Sequence, residues 1–81
     1  MNDDYTSGNL IVFGKEYRFD VLLSKDDNSE GIKSGKILKL SVFDKNDNKI
    51  LYFDSGKWII KADGDPIKKT LIDLIYAEFE R

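Results

Sequence analysis

Gly8-Asn9-Leu10-Ile11-Val12-Phe13, then Gly14-Lys15, then Glu16-Tyr17-Arg18-Phe19-Asp20-Val21-Leu22-Leu23 is the stretch that decides the fold. Two runs of apolar, β-branched and aromatic residues flank a Gly-X pair, the mark of an antiparallel hairpin. The pattern predicts a type II′ turn in which Gly14 supplies the positive φ. A two-residue turn at Gly14-Lys15 sets Phe13 opposite Glu16, Val12 opposite Tyr17 and Leu10 opposite Phe19. Leu10, Val12, Tyr17, Phe19, Val21 and Leu23 then share one face, apolar apart from the tyrosine hydroxyl. Ile11, Phe13, Glu16, Arg18, Asp20 and Leu22 share the other, which is mixed. A slip of one residue would scramble both faces, so the alternation itself supports the pairing.

Downstream, residues 24–35 read as a polar loop pinned to the body by Ile32. Residues 36–43 alternate, with Leu38, Leu40 and Val42 on one side and Ile37, Lys39, Ser41 and Phe43 on the other. The cluster from Asp44 to Lys49 is a turn of residues that bond their own backbone. Residues 50–53 form the next strand, its facing left open by the turn length; Asp54-Ser55-Gly56 turns the chain into a short fifth strand, 57–61. Asp65 then suits a helix N-cap and Pro66 the first helical position. Ile67, Leu71, Leu74, Ile75 and Phe79 recur at helical spacing over about four turns. The predicted class is α+β: a four- to five-stranded antiparallel sheet, open or curled, with one C-terminal helix packed on one face, in the simplest packing the apolar face of the first hairpin. A chain of 81 residues holds one domain, 1–81, with residues 1–7 expected to be flexible.

One helix covers one face. The face left open would carry Ile11, Phe13, Leu22, Ile37, Phe43 and Ile59, interleaved with Arg18, Asp20, Lys39 and Ser41. Monomers seldom expose contiguous apolar patches beyond a few hundred Å². Three arrangements meet this constraint: the sheet curls and takes some of these residues into the core, the chain forms a homodimer through the face, or the face docks on another protein.

Composition excludes more than it selects. With no cysteine and no histidine, there is no disulfide framework, thiolate nucleophile, imidazole base, Ser-His-Asp triad, or Cys- or His-ligated metal. No apolar run approaches the roughly 20 residues that span a bilayer, and the acidic, polar start does not resemble a secretory signal. The host-cell cytoplasm is the expected location and no membrane association is expected. The net charge of −2 argues against a dedicated nucleic-acid binder, yet it hides a pattern. Residues 31–61 carry seven lysines against three acids, flanked on both sides by acidic segments. Lysine without arginine suits an acidic protein or an anionic small ligand better than bidentate recognition of bases.

The motifs that promise chemistry fail on inspection. Asp44, Asn46 and Asn48 match the opening of a calcium loop, but Lys49 and Ser55 stand where that loop needs glycine and glutamate. Gly31 and Gly35 enclose three residues where a P-loop needs four, and a strand follows instead of a helix. Asp26, Asp27 and Glu30 are acids on one loop with no partner at a defined spacing. The residues offer no catalytic constellation and no cofactor or metal site, so a non-enzymatic protein is expected.

Three segments together resemble a known family. Gly14-Lys15-Glu16-Tyr17-Arg18-Phe19 matches a strand-Gly-Lys-x-Tyr-x-Phe hairpin. Residues 29–40 follow Ser-x-x-Gly-Ile-x-x-Gly-Arg-Ile-x-Lys-Leu, with Lys36 in place of the arginine and one residue fewer between Ser29 and Gly31. Residues 53–58 follow Tyr-Asp-x-Gly-Trp, with Phe53 for the tyrosine and Lys57 inserted. With the C-terminal helix, the chain resembles over nearly its whole length a domain family of unknown function found in small proteins of bacteriophages and Firmicute genomes. The resemblance implies a context, since small phage proteins of this size and acidity are often inhibitors of host machinery, immune systems included. The expected activity is docking on a host protein; the alternative is a sponge that holds an anionic nucleotide, between protomers in a homodimer. An enzyme built on carboxylates and a divalent metal ranks last. The expected partner surface comprises Lys33, Lys36, Lys39 and Lys57 from the lysine segment, Phe43 from the open face, and Asp54 from the shared motif.

Overall fold

A computed structural model describes residues 5–80. Five strands, β1 (Tyr5–Val12), β2 (Lys15–Leu23), β3 (Ile37–Phe43), β4 (Lys49–Asp54) and β5 (Lys57–Ile60), precede one helix, α1 (Pro66–Phe79). Each strand pairs antiparallel with its sequence neighbour, so the sheet is a meander in the order β1-β2-β3-β4-β5. The α+β architecture is therefore the one the hydrophobic patterning predicts. Of the segment expected to be flexible, residues 1–4 lie outside the described residues, whereas Tyr5, Thr6 and Ser7 pair with Leu22, Val21 and Asp20.

The first hairpin turns one residue earlier than expected. Val12 pairs with Lys15 and Leu10 with Tyr17, so the turn is Phe13-Gly14, with φ of 52° and 77°. Two consecutive positive φ values make a type I′ turn, whose twist suits the strands better than a splayed alternative. The register moves by two residues, an even step, so each side chain keeps the face assigned to it. Phe13 sits at the tip, 73% exposed.

One face carries the core. Tyr17, Phe19, Val21, Leu40, Val42, Leu51 and Phe53 from the strands bury against Leu71 and Ile75 of α1. The helix starts where Asp65 Oδ1 accepts the N–H of Ile67 at 2.9 Å and of Lys68 at 3.4 Å, beside Pro66. At its far end Phe79 meets Phe19 edge to face, ring centroids 5.9 Å apart. Ile32 is buried in the same core and pins the 24–35 loop.

Three bulges reshape the sheet. The pairing skips Leu38 on β3, Ile50 on β4 and Ile59 on β5. Each extra residue bends its strand and reverses the alternation beyond it. Ile37 is the clearest result: sequence alternation places it on the open face, but the bulge at Leu38 sets it opposite Leu23 and it is fully buried in the core.

Candidate functional site

The face opposite α1 is organised in rows that the strand register defines. One row runs Tyr5, Leu22, Lys39, Asp54, Lys57, and the next Ser7, Asp20, Ser41, Tyr52, Ile60. A third begins Asn9, Arg18, Phe43, Lys49. The expected apolar patch is not continuous. Ile37 is in the core, Leu22 is buried, and Ile11 and Phe13 are exposed only around the hairpin tip.

Phe43 lies half-buried under charge. The Arg18 guanidinium sits 4.4 Å from its ring centroid and Lys49 Nζ 5.7 Å away; Lys49 also lies 4.3 Å above the Tyr52 ring. Each such contact is worth about 0.5–1 kcal/mol at an exposed site. Arg18 also meets Asp47 at 3.4 Å, an exposed pair of little energetic weight. Beside this cluster, Asp54 accepts hydrogen bonds from the Tyr52 hydroxyl at 3.0 Å and the Ser55 hydroxyl at 2.9 Å. The Ser55 and Tyr52 donors, with Lys39 opposite, hold the Asp54 carboxyl below the usual carboxylate range. The same bond to Asp54 raises the Tyr52 hydroxyl above its ordinary value. Further along the row, Ser7 Oγ donates to Asp20 Oδ1 at 2.6 Å.

The structure thus brings Lys39, Asp54 and Lys57 together in one row and places Phe43 on the same face. It separates Lys33, whose Nζ lies 4.6 Å over the ring of Tyr76 on α1. Lys36 precedes β3: its N–H donates to the Glu80 carboxylate and its carbonyl accepts the Ser24 N–H. Arg18, Lys49 and Tyr52 join Phe43 on the open face. Alternation along β2 already put Arg18 there, but no sequence signal placed Lys49 and Tyr52, because the turn before β4 left its facing open.

The two motif-like segments prove to be structural. Asp44 Oδ1 accepts the N–H of Asn46 at 2.9 Å and of Asn48 at 3.0 Å, closing the β3–β4 turn; these bonds lower the Asp44 pKa. The Gly31–Gly35 segment turns the N–H groups of Gly31, Ser34 and Gly35 onto the carbonyls of Asn28, Gly31 and Ile32, and the N–H groups that follow it, of Lys36 and Ile37, go to Glu80. A side chain at Gly31 would collide with the Gly35 carbonyl, and one at Gly35 with the Glu80 carboxylate at 2.5 Å. Among the described residues, no group of three or more His, Cys, Asp or Glu side chains is placed to hold a metal ion, and no helix is long and apolar enough to cross a membrane. A groove of about 680 Å³ opens between the β1–β2 tip, the β3–β4 turn and the start of α1, and none of the six predicted surface residues lines it.

The open face can present cations and aromatic edges to a partner, with Asp54, Tyr52 and Ser55 locked to one another. No curated protein and no solved structure matches the chain. A family model does, over residues 4–80, and the chain belongs to that family, DUF7678, a domain of unknown function.

Proposed function

We propose that this chain is a non-enzymatic binding protein of phage or mobile-element type that docks on an acidic surface of a host protein, and so inhibits or modulates host machinery such as a defence system. The observation that carries the docking reading is the Arg18–Phe43–Lys49–Tyr52 cluster on the face that α1 leaves open. Aromatic residues and arginine are enriched at interface hot spots, where the partner excludes water from the cation–ring contacts and strengthens them. Lys39 and Lys57 flank the cluster and would steer an acidic partner in a salt-dependent way. The phage and host elements of the proposal rest on the sequence resemblance.

Affinity capture from host lysate tests this with paired variants. Arg18→Glu/Lys49→Glu and Lys39→Glu/Lys57→Glu should each lose a specific captured protein that the wild type and Lys33→Glu, altered on the helix side, both retain. Unchanged capture by both open-face variants would remove this face from the interface. Calorimetry with cyclic and signalling nucleotides is the second arm: tight binding by the protein alone would replace docking with ligand sequestration.

A further inference from the structure

We infer that β1 is a self-pairing edge, through which two copies of this chain join in antiparallel register about Gly8 into one continuous sheet. The two edges of the meander differ sharply. β5 has four residues, begins with Lys57, carries a bulge at Ile59 and is followed at once by Lys61, all devices that discourage edge pairing. β1 has eight residues, Tyr-Thr-Ser-Gly-Asn-Leu-Ile-Val, with no charge, no proline and an unbroken register to β2.

Hairpin geometry fixes which groups face outward. Val12 and Lys15 flank a two-residue turn and so form a hydrogen-bonded pair, which directs the N–H and C=O of Tyr5, Ser7, Asn9 and Ile11 to the free edge. Tyr5 and Ile11 are the exposed large apolar residues of this strand, 58% and 72% exposed, and each lies three residues from Gly8. A two-fold axis at Gly8 makes each the cross-strand neighbour of the other: Tyr5 meets the partner's Ile11, and Ser7 meets the partner's Asn9. All four outward-facing residues then fall in hydrogen-bonded pairs, and Gly8 opposes its own copy with no side chain of its own, its core side already filled by the Phe19 ring. The absence of charge on β1 means that this self-match brings no like charges together.

The helix side fits the same axis. A groove of about 450 Å³ runs along β1 and is lined by Leu10, Leu74 and Phe79, with Leu74 44% exposed and Glu78 the one charged residue in the lining. A two-fold perpendicular to the sheet keeps both helices on one side, so the partner's helix approaches this groove. The open face with Arg18 and Phe43 stays uncovered and doubles in extent. This inference stands independently of docking on a host protein.

The mass of the full chain in solution, followed over a dilution series by light scattering, tests the inference. The expected result is twice the 9.3 kDa chain mass. Asn9→Pro removes an outward N–H that the monomer does not use, a position where edge strands tolerate proline, and Ile11→Lys adds an edge charge. Both should give monomers with unchanged circular dichroism, while Ile59→Lys on the opposite edge stays dimeric. The chain has no cysteine, so mixing Ser7→Cys with Asn9→Cys chains under oxidation gives a clean register test. Directly paired residues lie about 5.5 Å apart at Cα, within disulfide range, so the mixture should cross-link and neither variant alone should. A wild type monomeric throughout, a dimer that survives Asn9→Pro, or failure of the mixed pair to cross-link would overturn the inference.

Discussion

Glu80 ties the end of the helix to the start of β3, and its removal is a sharp test of how the loop is held. Its Oε2 accepts the N–H groups of Lys36 and Ile37, the latter at 2.9 Å, across 43 residues of sequence. Hydrogen bonds to a charged group contribute about 1.5–3 kcal/mol each, but here one half-buried oxygen serves both donors. We therefore expect Glu80→Ala to cost about 2–3 kcal/mol, not the sum of two full bonds. For a domain of this size that lowers Tm by roughly 10–20 °C. Gly35 supplies the second half of the test. Its φ of −100° suits alanine, so the obstacle is the 2.5 Å approach of a new Cβ to Glu80. Gly35→Ala should displace the carboxylate and cost about as much as losing it, about 2 kcal/mol. In a Glu80→Ala background the same change should cost less than about 1 kcal/mol, because the three atoms nearest the new Cβ all belong to the Glu80 carboxylate. Urea denaturation followed by Trp58 fluorescence and circular dichroism measures all four proteins. A Glu80→Ala protein as stable as the wild type, or a Gly35→Ala cost that persists without Glu80, would refute the reasoning.

Two further outcomes follow from the turn and the open face. Phe13 holds a left-handed conformation with its ring in solvent, so Phe13→Asn should stabilise the hairpin by about 0.5–1 kcal/mol in the same denaturation assay; a loss of stability would mean that the ring packs. Asp54 titrates low because Ser55 and Tyr52 donate to its charged form, so its stabilising effect is present above its unfolded-state value and lost as pH falls through the folded-state value. Tyr52, raised by the same bond, contributes below its unfolded-state value near 10 and loses that contribution as pH rises through its folded-state value. Carboxyl NMR titration of Tyr52→Phe should show Asp54 moving up towards the ordinary range; an unmoved titration would assign the shift to Ser55 and Lys39 alone.

The sheet was legible because period-two alternation is a local property, and Asp65-Pro66 announced the helix for the same reason. The Gly-X pattern sets the β1–β2 register two residues off, since nothing in the sequence marks Phe13 for a positive φ, yet the even slip preserves the faces. Alternation alone misplaces Ile37, because a bulge at Leu38 depends on how β3 meets β2, not on the sequence of either strand alone. The same limit applies to the site. Lys39 and Lys57 stand out in a charge count, but their alignment with Asp54, and the stacking of Arg18 and Lys49 on Phe43, exist only once three turns have set the strand order. Lys33 belonged to the same lysine segment and ended on the other side of the sheet, over Tyr76. Glu80 carried no signal at all, since its partners are backbone groups more than forty residues away.

That last contact sets an order of assembly. Every strand pairs with its immediate neighbour, so the meander is built from short-range closures that form quickly. The amides of Lys36 and Ile37 are the exception: their acceptor reaches them only after α1 has docked. Hydrogen exchange at these two positions, at the threshold of a strand, therefore reports the opening of the helix. The loop before β3 and the last turn of α1 form one cooperative unit, able to detach together while the hairpins persist.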